Sequence, residues 1–150
     1  GLCIDDAGIP QTAEKRVDIA KRIIARAEKD GMDRKNIIID CVALACGTST
    51  TGAKATLDTI RICTEELGVN TTVGLSNVSF GLPDRPRLNA AFMLMCAGQG
   101  MTCFIGNPMD PNMQFSLKAS KLFWGEDKFG MGYLTHFRKM QAAQAAAEKK

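Results

Sequence analysis

The chain has 150 residues, of which 45% are hydrophobic and 23% are charged, and its formal net charge is +3; these values are typical of one globular domain with an apolar core. The small, dispersed positive charge argues against nucleic-acid binding, and the lack of an apolar run of about 18 residues predicts no membrane span. Six cysteines without a CxxC pair indicate a reduced, cytoplasmic protein without a metal site.

The N-terminal part of the chain predicts a strand, a turn and a helix. Residues 2–4 are expected to be the end of a strand, and residues 5–10 form a turn. A helix over residues 12–30 is predicted, with Thr12 as its cap and Gly31 as its stop. Apolar residues at helical spacing form its buried face: Val17, Ala20, Ile24 and Ala27.

A second unit repeats this order. Residues 36–42 form a continuous run rich in β-branched side chains, which is typical of a parallel strand covered on both faces. A polar loop over residues 47–52 leads into a helix that is predicted to end near residue 67. The expected inner face of that helix carries Leu57, Ile60, Thr64 and Leu67.

The third unit and the C-terminal region follow. A strand over residues 71–76 and a loop over 77–85 precede a helix that starts near Pro86, a favoured first-turn residue. A fourth strand at residues 101–105 and a helix at 112–124 complete the pattern. Residues 126–150 are predicted to be a helical tail or linker, because their last stretch is rich in Ala, Gln, Glu and Lys.

The alternation of strands and helices predicts an α/β fold with a parallel sheet. An open doubly wound sheet and a (β/α)₈ barrel both fit this alternation. No Gly-x-Gly-x-x-Gly follows a predicted strand, which disfavours dinucleotide binding. Since a barrel needs about 250 residues, the predicted units amount to about half of one.

Polar residues stand where the predicted strands end. They are Asp40, then Ser76 and Asn77, then Asn107. Because the carboxyl ends of parallel strands form one rim, we expect these side chains to share a cavity. Each also fits a structural role, Asp40 as a cap of its loop and the asparagines in turns, and the residues alone leave both roles open.

Groups for covalent catalysis are sparse. The only histidine, His136, lies outside the strand-and-helix units, and no Gly-x-Ser-x-Gly segment occurs. These features disfavour a histidine-activated nucleophile and a zinc centre. The polar residues at the strand ends suit a polar heterocycle better.

One segment carries a more specific pattern. It reads Gly74-Leu75-Ser76-Asn77-Val78-Ser79, followed by Asp84-Arg85-Pro86 and Asn89. This pattern resembles the pterin-binding methyltransferases, which include the methyltetrahydrofolate:corrinoid iron–sulfur protein methyltransferase and the folate domain of cobalamin-dependent methionine synthase. The similarity runs from about residue 1 to residue 124.

The resemblance implies a TIM barrel of the dihydropteroate-synthase-like type, of which residues 1–125 would form the C-terminal half, from the end of strand five to helix eight. It implies that Asp40 binds the amino-pyrimidine edge of the pterin, where two N–H donors can face two carboxylate oxygens. Gly74 and Ser76 would shape the floor of the site. Arg85 would lie at its mouth, and Asn107 would be a further pterin contact.

The resemblance also implies the reaction. The chain would bind 5-methyltetrahydrofolate and pass its N5 methyl group to cobalt(I) of a corrinoid, with Asn77 as the catalytic residue that hydrogen-bonds near N5. No Asp-x-His-x-x-Gly corrinoid signature occurs, so the cobalamin or other corrinoid must be carried by another domain or protein. Since members of the family often pair, a homodimer is also expected.

Two other interpretations remain open. Dihydropteroate synthases share the barrel, but a Ser-Arg-Lys-like segment and an Arg-x-His would be expected where this chain has Ser76-Asn77-Val78 and Gly106-Asn107-Pro108. The chain could instead be a non-catalytic half-barrel that another chain completes, since half a barrel exposes unpaired strand edges.

Overall fold

Four extended segments run parallel at the centre of the molecule, in a computed structural model that describes residues 1–147. Two of them are regular strands, β1 (Ile38–Asp40) and β2 (Asn70–Thr72). Five α-helices surround or follow them: α1 (Ala13–Lys29), α2 (Gly52–Glu65), α3 (Arg85–Gly98), α4 (Pro111–Phe123) and α5 (Met131–Ala147). Short 3₁₀ turns are formed by Arg34–Asn36, Leu75–Asn77 and Lys128–Gly130.

The order of the extended segments follows the order of the chain. β1 pairs with β2 in parallel, with Ile39 opposite Thr71. The N-terminal residues lie on the other side of β1, where Cys3 N–H donates to the Asp40 carbonyl at 3.1 Å. Beyond β2, Cys103 N–H donates to the Thr71 carbonyl at 3.1 Å. Successive neighbours without a reversal of order are what adjacent units of a (β/α)₈ barrel show, whereas a doubly wound sheet reverses at its switch point.

The predicted strands were too long. Residues 36–42 contribute only Ile38–Asp40, because a 3₁₀ turn precedes them and Val42 leaves the extended region with a φ of 55°. The strand predicted over residues 71–76 ends at Thr72, since the chain turns at Leu75–Asn77. Residues 2–4 and 101–105 form single parallel bridges rather than regular strands.

The observed helices agree more closely than the strands do with those predicted from the sequence. Thr12 caps α1 by accepting a hydrogen bond from Lys15 N–H, and Gly31 leaves the helix with a φ of 87°. On α2 the predicted inner face is confirmed in part, because Ile60 is buried and Leu57 and, just beyond the helix, Leu67 are partly buried against the core. α2 packs against both α1 and β2, and small side chains occupy this contact: Ala55, Thr56, Thr59 and Cys63.

The core lies between the sheet and helices α1 to α4, and it includes four buried cysteines, Cys3, Cys41, Cys63 and Cys96. All six cysteines are reduced. Burial raises the pKa of the Cys3 and Cys96 thiols to about 12, which keeps them neutral.

The C-terminal helix α5 stands apart from this core. It contacts α4, where the rings of Phe115 and Tyr133 meet edge to face at 6.3 Å. A helical tail was predicted here; residues 148–150 of that tail lie outside the described residues, and a domain boundary at residue 125 stays a prediction. No helix within residues 1–147 is long and apolar enough to cross a membrane.

Candidate functional site

A cavity of about 670 Å³ opens at the carboxyl ends of the parallel segments. Five of the six residues predicted from the sequence line it: Asp40, Gly74, Ser76, Asn77 and Asn107. Apolar side chains line the rest, among them Ile4, Ile9, Leu75 and Met113. A few polar groups in an apolar surround suit a flat heterocycle with a polar edge.

A second cavity, of about 640 Å³, includes none of the predicted site residues. Its lining comes from α3, α4, the segment between them and the residues directly after α4. It is mostly apolar, with Met93, Phe104, Leu117 and Trp124 among its members. We therefore locate the candidate site in the first cavity, where the polar side chains converge.

Asp40 is the last residue of β1 and is half-buried. Its Oδ1 accepts a hydrogen bond from Val42 N–H at 2.9 Å, so the structural role that the sequence left open is present. In the described part of the chain no hydrogen bond involves Oδ2 of this carboxylate. Since each carboxylate oxygen has two lone pairs, the group can hold its own loop and still accept from a ligand.

The 3₁₀ turn Leu75–Asn77 presents the next polar groups. Buried Leu75 anchors this turn, and its N–H donates to the Ile105 carbonyl at 3.1 Å. A Cβ on Gly74 would lie 3.4 Å from Asn77 Nδ2, so glycine leaves room for the amide above the backbone. Among the described residues the Asn77 side chain makes no hydrogen bond, which leaves its donor and acceptor for a ligand.

Arg85 does not line the cavity. Its Nη2 donates to the Ser76 carbonyl at 2.8 Å and its Nε donates to Ser79 Oγ at 3.1 Å. The guanidinium also lies 5.6 Å from the centre of the Phe80 ring. These contacts make Arg85 a brace for the turn that carries Ser76; its contact with the pterin at the mouth stays a prediction.

Two further lining residues, Asn89 and Asp110, were not predicted as site residues. Asn89 belongs to the segment that carries the resemblance, and its Oδ1 accepts from buried Ser79 at 2.7 Å. Asp110 precedes Pro111 and caps α4 through Asn112 N–H, so its sequence context indicates only a helix start. Asn107 likewise holds a turn, because its Oδ1 accepts from Met109 N–H at 3.0 Å.

Metal ligands are not assembled at this site. Within residues 1–147 no group of three or more His, Cys, Asp or Glu side chains could hold a metal ion. The chemistry that the cavity itself offers is hydrogen bonding, by the carboxylates of Asp40 and Asp110 and by neutral amides and a hydroxyl on the neighbouring segments.

Comparison with known proteins identifies the family. Residues 6–107 match the family model described as pterin binding enzyme. The methylcorrinoid:tetrahydrofolate methyltransferase of Eubacterium limosum is 33% identical over 140 residues, which cover 91% of this chain and 51% of that protein. The methionine synthases of Mycobacterium leprae (strain TN) and Mycobacterium tuberculosis (strain ATCC 25618 / H37Rv) are 36% and 35% identical over 108 residues, 67% of this chain and 9% of each enzyme.

The chain therefore spans about half of the length of the first relative and a small part of the methionine synthases. The family implies a fold like that of a TIM barrel, which agrees with the parallel segments in chain order. The family match shows that the chain belongs to the pterin-binding enzymes, and its similarity to a methylcorrinoid:tetrahydrofolate methyltransferase and to methionine synthases agrees with the resemblance seen in the sequence.

Proposed function

We propose that this chain forms the pterin-binding part of a methyltransferase that moves a methyl group between N5 of tetrahydrofolate and the cobalt of a corrinoid. The observation that carries the proposal is the convergence of Asp40, Ser76 and Asn77 in one cavity at the strand ends of a pterin-binding enzyme. The corrinoid is a co-substrate carried by another domain or protein.

The proposal covers both directions of transfer. The resemblance in the sequence implies methyltetrahydrofolate as the donor, whereas the name of the Eubacterium limosum relative has methylcorrinoid as the donor and tetrahydrofolate as the acceptor. Forward and reverse transfers pass through the same transition state, so the same residues serve both. When the methyl group leaves the pterin, the N5–carbon bond breaks and its electron pair stays on N5, which takes up a proton from the solvent, while cobalt(I) supplies the electron pair of the new bond to the methyl carbon.

Asp40 fits the binding role in this reaction. The pterin's amino-pyrimidine edge presents adjacent N–H donors, and a carboxylate can accept from both in a charge-assisted fork. Asp40 offers Oδ2 for this purpose while Oδ1 also holds the turn at Val42. A pterin seated against the apolar lining of the cavity would shield these bonds from water, which would strengthen them.

Asn77 fits the role of stabilising N5. Its amide is neutral and can donate from Nδ2 to the electron pair that develops on N5 as the methyl group departs. In the reverse direction its Oδ1 can accept from an N5–H. A placed dipole of this kind acts mainly on the transition state, so Asn77 should affect the rate more than the affinity.

A calorimetric titration of the full-length protein with 5-methyltetrahydrofolate tests the site. Wild type should bind, and Asp40→Asn should weaken binding by roughly tenfold or more, as expected for a charge-assisted hydrogen bond. Asp33→Asn is the matched control, since Asp33 makes the same type of contact to Lys35 N–H at 3.1 Å in an exposed turn. Equal affinity of the Asp40 and Asp33 variants would contradict the proposed binding role.

The proposal also covers assembly. We propose that the full-length protein works with a corrinoid-carrying partner and that it forms a homodimer. A size measurement on this chain also separates catalysis from the half-barrel alternative: a stable, folded monomer that binds 5-methyltetrahydrofolate would argue against a need for completion by another chain.

A further inference from the structure

Arg16 of α1 is a buried cation without an ion-pair partner among residues 1–147. Its side chain is fully buried, and within residues 1–147 no carboxylate is among its hydrogen-bond partners. Burial lowers the pKa of its guanidinium, and Nη2 is buried without a partner in this part of the chain. A charge in this setting carries a desolvation cost without compensation by an opposite charge, so its contacts should show what it does.

Those contacts converge on two loops beside the cavity. Nη1 lies 2.8 Å from the Val42 carbonyl and 3.0 Å from the Cys41 carbonyl, both in the loop after β1. Nε donates to the Pro10 carbonyl at 2.8 Å, in the loop before α1. Neighbouring Ile9 and Val42 both line the cavity.

Thr56 of α2 completes the contact to the loop after β1. Its hydroxyl lies 2.8 Å from the Val42 carbonyl, 3.0 Å from the Gly52 carbonyl of its own helix and 3.0 Å from Arg16 Nη1. We assign its single proton to Val42, the shorter of the two contacts with a carbonyl. The carbonyl of Val42 is therefore held by two donors that come from two different helices. Both donors are themselves fully buried, so water does not compete with them.

Val42 adopts a backbone conformation that needs such support. Its φ of 55° lies in the left-handed region, where a β-branched residue is a genuine outlier. The N–H of this residue donates to Asp40 Oδ1 while its carbonyl accepts from Arg16 and Thr56. Both backbone polar groups of Val42 are thus held by hydrogen bonds, and the acceptor for its N–H is the Asp40 carboxylate that we assign to the pterin.

We propose that Arg16 and Thr56 are positioning residues that orient the Asp40 carboxylate for the pterin by holding Val42 in its left-handed conformation. This inference rests on the proposed function of the cavity. Strained backbone that is held by its surroundings is a recurrent feature of binding sites. Here it aims a carboxylate from the end of a strand that is only three residues long.

The test compares Thr56→Val with Thr59→Val in the full-length protein. Both threonines are fully buried on α2, but within residues 1–147 the Thr59 hydroxyl bonds only the Ala55 carbonyl of its own helix. Two readouts are used: calorimetric affinity for tetrahydrofolate, and hydrogen exchange of the amides at residues 41–43 without ligand. Thr56→Ser keeps the hydroxyl and serves as the conservative variant.

Thr56→Val should lower the affinity by about tenfold, the usual effect of one lost buried hydrogen bond, and Thr59→Val should change it by less than about twofold. Thr56→Ser should restore most of the affinity. In the Asp40→Asn background, Thr56→Val should have little further effect, because residues that act through one another are not additive. A purely structural role would give the same fold-change in both backgrounds and would overturn the inference.

The two readouts separate failure of the proposed function from failure of the positioning role. If wild type does not bind tetrahydrofolate, the proposed function fails, and hydrogen exchange alone then decides the positioning role. Faster exchange at residues 41–43 in Thr56→Val than in Thr59→Val is the expected result. Equal exchange in the two variants overturns the positioning role, whether or not a pterin binds.

Discussion

Ser79 connects the turn that carries Ser76 to helix α3, and its removal is the most informative single perturbation near the cavity. Its side chain is 1% exposed. Its hydroxyl donates to Asn89 Oδ1 at 2.7 Å, lies 3.3 Å from the Ser76 carbonyl and accepts from Arg85 Nε at 3.1 Å. Ser79→Ala removes all three contacts and leaves a cavity-lining amide without its donor.

These partners determine how much the free energy of unfolding should fall in Ser79→Ala. Asn89 Oδ1 is half-buried in the wall of the cavity, where water can replace part of its lost donor, so losing this hydrogen bond costs about 1 kcal/mol. Arg85 is partly exposed, so water replaces much of its lost contact and adds little to this value. We therefore expect a loss of about 1 kcal/mol in the free energy of unfolding, which corresponds to a fall in Tm of roughly 2–4 °C for a domain of this size.

Thermal unfolding and a tetrahydrofolate titration of the full-length protein test this prediction. The matched control is Ser120→Ala, because in the described part of the chain the Ser120 hydroxyl bonds only the Leu117 carbonyl of its own helix, at 3.0 Å. Ser79→Ala should lower both the Tm and the affinity, whereas Ser120→Ala should leave the affinity unchanged. If the two variants lose the same stability and both bind as wild type does, the view of Ser79 as a link between turn and cavity is wrong.

Two further predictions concern catalysis and pH. Asn77→Ala should slow methyl transfer by a factor of about 10 to 10³, the usual loss for one transition-state hydrogen bond. The Kd for 5-methyltetrahydrofolate should change much less. Equal losses in rate and affinity would show that Asn77 acts in ground-state binding instead. Burial raises the pKa of the Cys3 and Cys96 thiols from 9.0 to about 12, so their contribution to stability should be complete below pH 9.0 and be lost as the pH rises through 12. Urea unfolding across this range should show the decline, and Cys96→Ala should reduce it.

The sequence by itself determined the α/β alternation and where polar chemistry could gather. Local signals were sufficient to predict both ends of α1, because Thr12 and Gly31 act on the residues next to them. The shared location of Asp40, Asn77 and Asn107 followed from one rule, that parallel strands end at the same rim. That rule uses only the order of the elements, which is why it held although the strands themselves proved shorter.

Only the tertiary structure decided the rest. The buried face of α2, the bracing position of Arg85 and the burial of Arg16 all depend on groups that are distant along the chain or supplied by other elements. Arg16 illustrates the reason: its acceptors are the carbonyls of Cys41 and Val42, which lie 25 and 26 residues away. Backbone carbonyls carry no signature in the sequence, so a buried arginine that binds them is indistinguishable beforehand from an exposed one on a helix.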